Sequence, residues 1–297
     1  MTEAERKQII ALVQREVVPA IGCTEPIAVA LCVAKATEAL GAKPEKIDVL
    51  LSANILKNAM GVGIPGTGMI GLPIAIALGA LIGKSEYQLE VLKDSNPAAV
   101  EEGKRFIGEK RIDISLKKNI AEKLYIEVCC KSGGNKATAI IAGGHTTFIY
   151  IARNGDVLLN KQSAGCGEEE AQVAGLTLRK VYDFAMNAPL DEIRFILETA
   201  RLNKAAAERS FDGNYGHGLG RMLRGNYEHK ILGDSVFSHI LSDTSGACDA
   251  RMAGAMIPVM SNSGSGNQGI SATLPVLVYA EENGKSEEEL IRALMLS

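Results

Sequence analysis

The 297-residue chain has no tryptophan, and aromatic residues make up only 4% of it. Its core must therefore be built from Ala, Leu, Ile and Val, and with 31 glycines that composition favours closely packed helices around tight loops. No basic patch stands out and the net charge is −3, so nucleic acid is not an expected partner. Long apolar runs are missing too. The longest uncharged stretch, 59–83, is broken by Gly61, Gly63, Pro65, Gly66, Gly68, Gly71 and Pro73, whereas a spanning helix needs about 20 continuous apolar residues. No membrane association is expected. The N-terminal "MTEAERKQII" is charged from the start and does not read as a signal peptide. None of the six cysteines forms a CxxC pair, so spacing predicts no metal site in this chain; free thiols in a reducing cytoplasm are expected.

What is present divides into helical and β-rich texture. Residues 3–17 and Pro26 to Leu40 read as helices, the second closed by Gly41. "KIDVLLSAN" reads as a strand running into Asn54, followed by the loop "GVGIPGTG" and an apolar helix near 69–82. A helix near 97–109 flanks short β-branched runs over 111–160, which predict antiparallel strands. Helical patterns return at 167–186, 190–209, 234–256 and 270–282. The expectation is an α+β fold: a mainly helical core from residues 1–90 and 165–297, with an inserted antiparallel β-rich lobe at 91–164. "SEEELIRALMLS" opens with a capping box, Ser286 with Glu289. Its apolar stripe of Leu290, Ile291, Leu294 and Met295 still runs where the chain stops, which predicts an element cut short. Exposed apolar surface there would favour association, for instance as a homodimer.

Cys23, in "GCTEP", stands where the second helix begins. The unpaired N–H groups and dipole of a helix start favour an anion, so a reactive thiolate acting as nucleophile or general base is one reading. A small buried residue is the other. Cys32 sits inside the same helix, Cys129 and Cys130 point to opposite faces of a strand, and Cys248 lies in a helix. Cys166, in "SAGCGEEE", marks another helix start and is a second candidate. The histidines His145, His217, His229 and His239 show no ligand spacing or triad pattern.

Two loops, "GVGIPG" and "GSGNQG", match GxGxxG, but neither sits in a strand–loop–helix unit, which speaks against a dinucleotide-dependent oxidoreductase. "LIGKS" fails as a phosphate loop because Leu78 stands where glycine is required. "SNSGSGNQG" does supply small donors before a helix, so Ser263, Gly264, Ser265, Gly266, Asn267 and Gln268 form a candidate nest for a substrate carboxylate. Asn54, with Lys57 and Asn58 beside it, is a further substrate-binding candidate at a strand end.

"GCTEPIAVAL", "GVGIPGTG", "DARMAGAMIPVMSNSGSGNQGI" and the closing "LIRALMLS" resemble the L-cysteine desulfidase family, which is related to the catalytic chain of iron–sulfur-dependent L-serine dehydratases. The likeness extends over essentially the whole chain. It implies a cytoplasmic lyase that turns L-cysteine into pyruvate, sulfide and ammonia, with Cys23 as the proton-abstracting thiolate. It also implies a [4Fe-4S] cluster held by three cysteines in the complete protein. The family's cluster ligands lie beyond the position matching Ser297, so no cluster and no activity are expected of this chain alone. Dehydration of L-serine by the same apparatus is the close alternative, and a non-catalytic amino-acid-binding protein is the reading from another class.

Overall fold

The computed structural model describes residues 1–120, 122–161, 175–224 and 233–297. Helix α1 (Glu3–Glu16) leads through β1 (Pro19–Ile21) into α2 (Thr24–Leu40). Next come β2 (Lys46–Leu51), α3 (Ala53–Ala59), β3 (Gly63–Ile64), β4 (Met69–Ile70), α4 (Leu72–Leu81) and α5 (Pro97–Gly108). Strands β5 (Ile112–Leu116), β6 (Tyr125–Ser132), β7 (Asn135–Ala142), β8 (Phe148–Arg153) and β9 (Asp156–Asn160) follow. The last elements are α6 (Leu178–Asn187), α7 (Leu190–Ile193), α8 (Leu197–Asp212), α9 (Leu219–Arg224), α10 (Val236–Met252), β10 (Pro258–Met260), α11 (Gly266–Glu282) and α12 (Glu287–Leu296). The fold is α+β, as the sequence pattern implied.

The chain forms two compact units, one made of the described residues of Met1–Ala20, Glu169–Ala253 and Ile257–Ser297, the other of Ile21–Glu168 with Gly254–Met256. These bounds differ from those expected at residues 90 and 165. The reason lies in α2. Ala28, Val29, Ala30, Leu31, Cys32, Val33 and Ala34 are all fully buried, so this helix is apolar all round. One side packs on β6 and β7 and another on α4, which commits residues 21–90 to the sheet rather than to the C-terminal helices.

The sheet runs β5-β2-β6-β7-β8-β9. It is antiparallel except at one edge, where β2 and β5 pair in parallel with Ile47 opposite Ile112. The antiparallel expectation for 111–160 therefore holds from β6 onward and not for β5. Small residues let α4 approach α2 closely: a Cβ built at Gly79 would lie 2.6 Å from the Ala30 carbonyl oxygen. Gly79→Ala should push the helices apart and cost about 1–3 kcal/mol despite alanine's better helix propensity. Thermal denaturation checks this, and an unchanged or higher melting temperature would contradict it.

In the other unit, Phe184, Ile193, Ile270, Leu274, Ile291 and Leu294 belong to one buried cluster. The capping box at Ser286 and Glu289 is formed, and Ile291, Leu294 and Met295 of the predicted stripe are buried. Two predicted helices differ in extent among the described residues. Of the pattern over 167–186, residues 167–174, like Cys166, lie outside the described residues, and α6 starts at Leu178. Helix α11 starts at Gly266 rather than 270, because the Ser265 hydroxyl accepts from the Gln268 amide and caps it.

Candidate active site

Cys23 occupies the N-cap of α2 in an extended conformation (φ −78°, ψ 134°) and is 7% exposed. The thiol makes no side-chain capping bond to the helix amides. Instead Sγ donates to Oε2 of Glu25 at 3.2 Å. This corrects the expectation that the amide ends hold the sulfur: the anion in the first turn of α2 is the Glu25 carboxylate, which the helix dipole favours for the same reason. Nor is Cys23 set in hydrocarbon alone.

The other Glu25 oxygen, Oε1, accepts from Nδ2 of Asn58 at 3.3 Å. Asn58 comes from α3, one turn beyond the expected Asn54. "SAN" ends the strand early because Ser52 caps α3 through the Ile55 amide, which leaves Asn54 exposed in the helix's first turn. Nothing in the structure gives Asn54 a site role. His145, on the loop after β7, is half-buried. Burial holds its imidazole below the ordinary histidine value, against the pull of the Glu25 carboxylate. Cys23, Glu25 and Asn58 thus form one polar cluster at the start of a buried helix, and the Glu25 charge acts on His145. Sequence reasoning set His145 aside and gave Glu25 no role; its only signal was that Glu25 stands two positions after the thiol.

The second candidate region lies in the other unit. Ser263 has φ +49° and Gly264 φ +76°, a pair of left-handed residues that turn the chain toward α11. Ser265 is the N-cap, and Gly266, Asn267 and Gln268 form the first helical turn. Arg251, itself 5% exposed, donates from Nη1 to Oδ1 of Asn267 at 2.9 Å. A Cβ at Gly266 would lie 2.3 Å from Arg251 Nε, so only glycine lets the guanidinium approach. An arginine beside helix-start amides is a setting suited to a carboxylate. Beneath it, Asn203 is fully buried: its Oδ1 accepts from the Met260 amide at 2.8 Å, and its Nδ2 donates to the Gly269 carbonyl at 3.2 Å. A cavity of about 310 Å³ opens elsewhere in this unit, lined by Glu5, Gln8, Leu12, Arg15, Leu176 and Lys180, and holds none of the predicted site residues.

Among the described residues, Cys32 and Cys130 make poor cluster ligands. Cys32 is fully buried and its Sγ donates to the Ala139 carbonyl at 3.3 Å. Burial pushes its thiol well up, and pushes that of Cys130 up to about 12, away from the thiolate form a metal requires. Among the described residues no three His, Cys, Asp or Glu side chains converge on a metal-binding point. These residues do not fit a [4Fe-4S] cluster. Also among the described residues, no helix is long and apolar enough to cross a membrane.

A family model described as serine dehydratase alpha chain matches residues 86–297. The chain belongs to that family. It is 82% identical to UPF0597 protein BF3560 of Bacteroides fragilis over 297 residues, which is 100% of this chain and 69% of that protein. A UPF0597 protein of Bacteroides thetaiotaomicron is 78% identical over the same 297 residues, again 69% of its length. One from Chromobacterium violaceum is 46% identical over 291 residues, 98% of this chain and 67% of that protein. No solved structure matches the chain.

Proposed function

We propose that this chain carries the proton-abstracting part of a lyase that acts on a small β-substituted amino acid, L-cysteine foremost, giving pyruvate, sulfide and ammonia. The observation that carries the reading is the Cys23–Glu25 contact at 3.2 Å, a thiol paired with a carboxylate at the start of a buried helix. Membership of the serine dehydratase alpha chain family supports elimination across Cα and Cβ as the reaction class.

In this reading Cys23, its own proton first passed to solvent water, takes the Cα proton through Sγ. The electron pair left on Cα forms the double bond to Cβ as the β-substituent departs with its bonding electrons. The aminoacrylate so formed tautomerises and hydrolyses to pyruvate and ammonia in water. The Ser263–Gln268 turn with Arg251, in the other unit, is by itself suited to binding a carboxylate. The [4Fe-4S] cluster that the family resemblance implies would need cysteines other than the described ones, and no step above depends on it. A cytoplasmic setting completes the proposal and agrees with the free thiols of Cys32, Cys129, Cys130 and Cys248.

L-Serine shares the carboxylate, ammonium and Cα–H, so its dehydration is the second reading, and the family match favours keeping it. The test uses the full-length protein purified and reconstituted without oxygen, assayed for sulfide and pyruvate from L-cysteine and for pyruvate from L-serine. Faster release from L-cysteine is the expected result. Faster release from L-serine would reverse the assignment, and none from either would leave only amino-acid binding.

A further inference from the structure

We propose that Glu25 is the subsite for the substrate's α-ammonium group, and so the residue that makes the Cys23 site specific for amino acids. The inference rests on the reading of Cys23 as part of an amino-acid site. Glu25 is half-buried, and its contacts are two neutral donors: the Cys23 thiol at 3.2 Å on Oε2 and the Asn58 amide at 3.3 Å on Oε1. Among the described residues no lysine or arginine reaches Glu25 within ion-pair distance. His145 does not serve as the counter-ion either, because burial favours its neutral form.

A carboxylate drawn partly out of water, with spare acceptor capacity and no cation, is incomplete in a specific way. An ammonium brings a full positive charge and three donors, and charge-assisted bonds are about twice as strong as neutral ones. Asn58 fixes the orientation of the carboxylate in advance, so little ordering remains for the ligand to bring about.

Geometry also ties this subsite to the chemistry. In an α-amino acid the ammonium nitrogen is bonded to Cα. With that nitrogen on Glu25, the Cα–H is brought near the sulfur that lies on the same carboxylate. The arriving ammonium competes with the thiol for Oε2 and loosens the Sγ–Glu25 contact as the substrate docks.

The experiment is calorimetric binding to the full-length protein, prepared without oxygen, of L-cysteine and of 3-mercaptopropionate, which lacks only the α-ammonium. Wild type should bind L-cysteine more tightly. In Glu25→Gln the dissociation constant for L-cysteine should rise by about 30-fold, while that for 3-mercaptopropionate stays within about 3-fold. Glu25→Asp retracts the charge by one methylene and should lose part of the preference, so it carries the test if the glutamine variant does not fold. An equal change for both ligands in either variant, an unchanged L-cysteine constant, or a wild type that binds neither would overturn the subsite. Turnover assayed on the same preparations separates the two readings. The predicted binding pattern without elimination sinks the lyase reading and leaves the ammonium subsite standing; elimination without that pattern does the reverse.

Discussion

Replacing Cys23 by alanine should lower elimination from L-cysteine by about 1,000-fold, the scale on which a positioned proton-transfer group contributes. The fold should survive. Cys23 is an N-cap whose side chain makes no capping bond, so its truncation strips no bond from the helix-start amides. Far-ultraviolet circular dichroism and melting temperature should therefore match wild type while activity falls. Cys23→Ser retains the shape but replaces the thiol with a far weaker acid and should be about as inactive. Cys129→Ser is the control, since that half-buried thiol lies on strand β6 away from the helix start. Equal losses in the Cys23 and Cys129 variants would point to general thiol sensitivity rather than to a proton role.

The largest stability effect is expected at Asn203. Its side chain is fully buried in α8 and holds both the Met260 amide, at 2.8 Å, and the Gly269 carbonyl, at 3.2 Å. One amide group thus fastens β10 to the first turn of α11. Asn203→Leu fills the space but leaves the buried Met260 N–H without a partner and takes from the Gly269 carbonyl, which the helix also engages, its second donor. A buried donor left unpaired costs about 1–3 kcal/mol and the lost second bond adds about 1 kcal/mol, so the loss should be about 2–4 kcal/mol. Melting should fall by roughly 6–10 °C. Because Gly269 follows directly on Gln268, binding at the Ser263–Gln268 turn should weaken as well. A variant as stable as wild type would mean that these contacts are dispensable.

Features set by neighbouring residues were legible in the sequence. Gly41 closes α2 with φ +73°, and Ser286 with Glu289 forms the capping box of α12, because each depends on residues within one turn. The β-branched runs likewise marked β6 to β9. Pairing over distance was not legible. Nothing in "RIDISLKKN" says that its strand joins β2 in parallel, since that partner lies far back in the chain. Asn54 was misplaced because Ser52 can end a strand or cap a helix, and only packing decides between them.

The same divide runs through the candidate site. That an anion belongs at the start of α2 followed from the helix dipole alone. Which group supplies it did not, since a thiol at the N-cap can turn to the amides or to a carboxylate two residues on by rotation about one bond. Asn58 reaches Glu25, and His145 comes under its charge, only through the fold, from a separate helix and a separate loop. The close fit of Arg251 over Gly266 is also tertiary, although both residues stand in the stretch that carried the family resemblance.

The central claim is that Cys23 removes the Cα proton, and hydrogen exchange at that carbon tests it without waiting for the β-substituent to leave. L-Cysteine carrying deuterium at Cα would be incubated with the full-length protein in ordinary water, and loss of the label followed by mass spectrometry. The account predicts washout with wild type and with Cys129→Ser, and none above background with Cys23→Ala. Washout at the wild-type rate from the folded Cys23→Ala protein would contradict it.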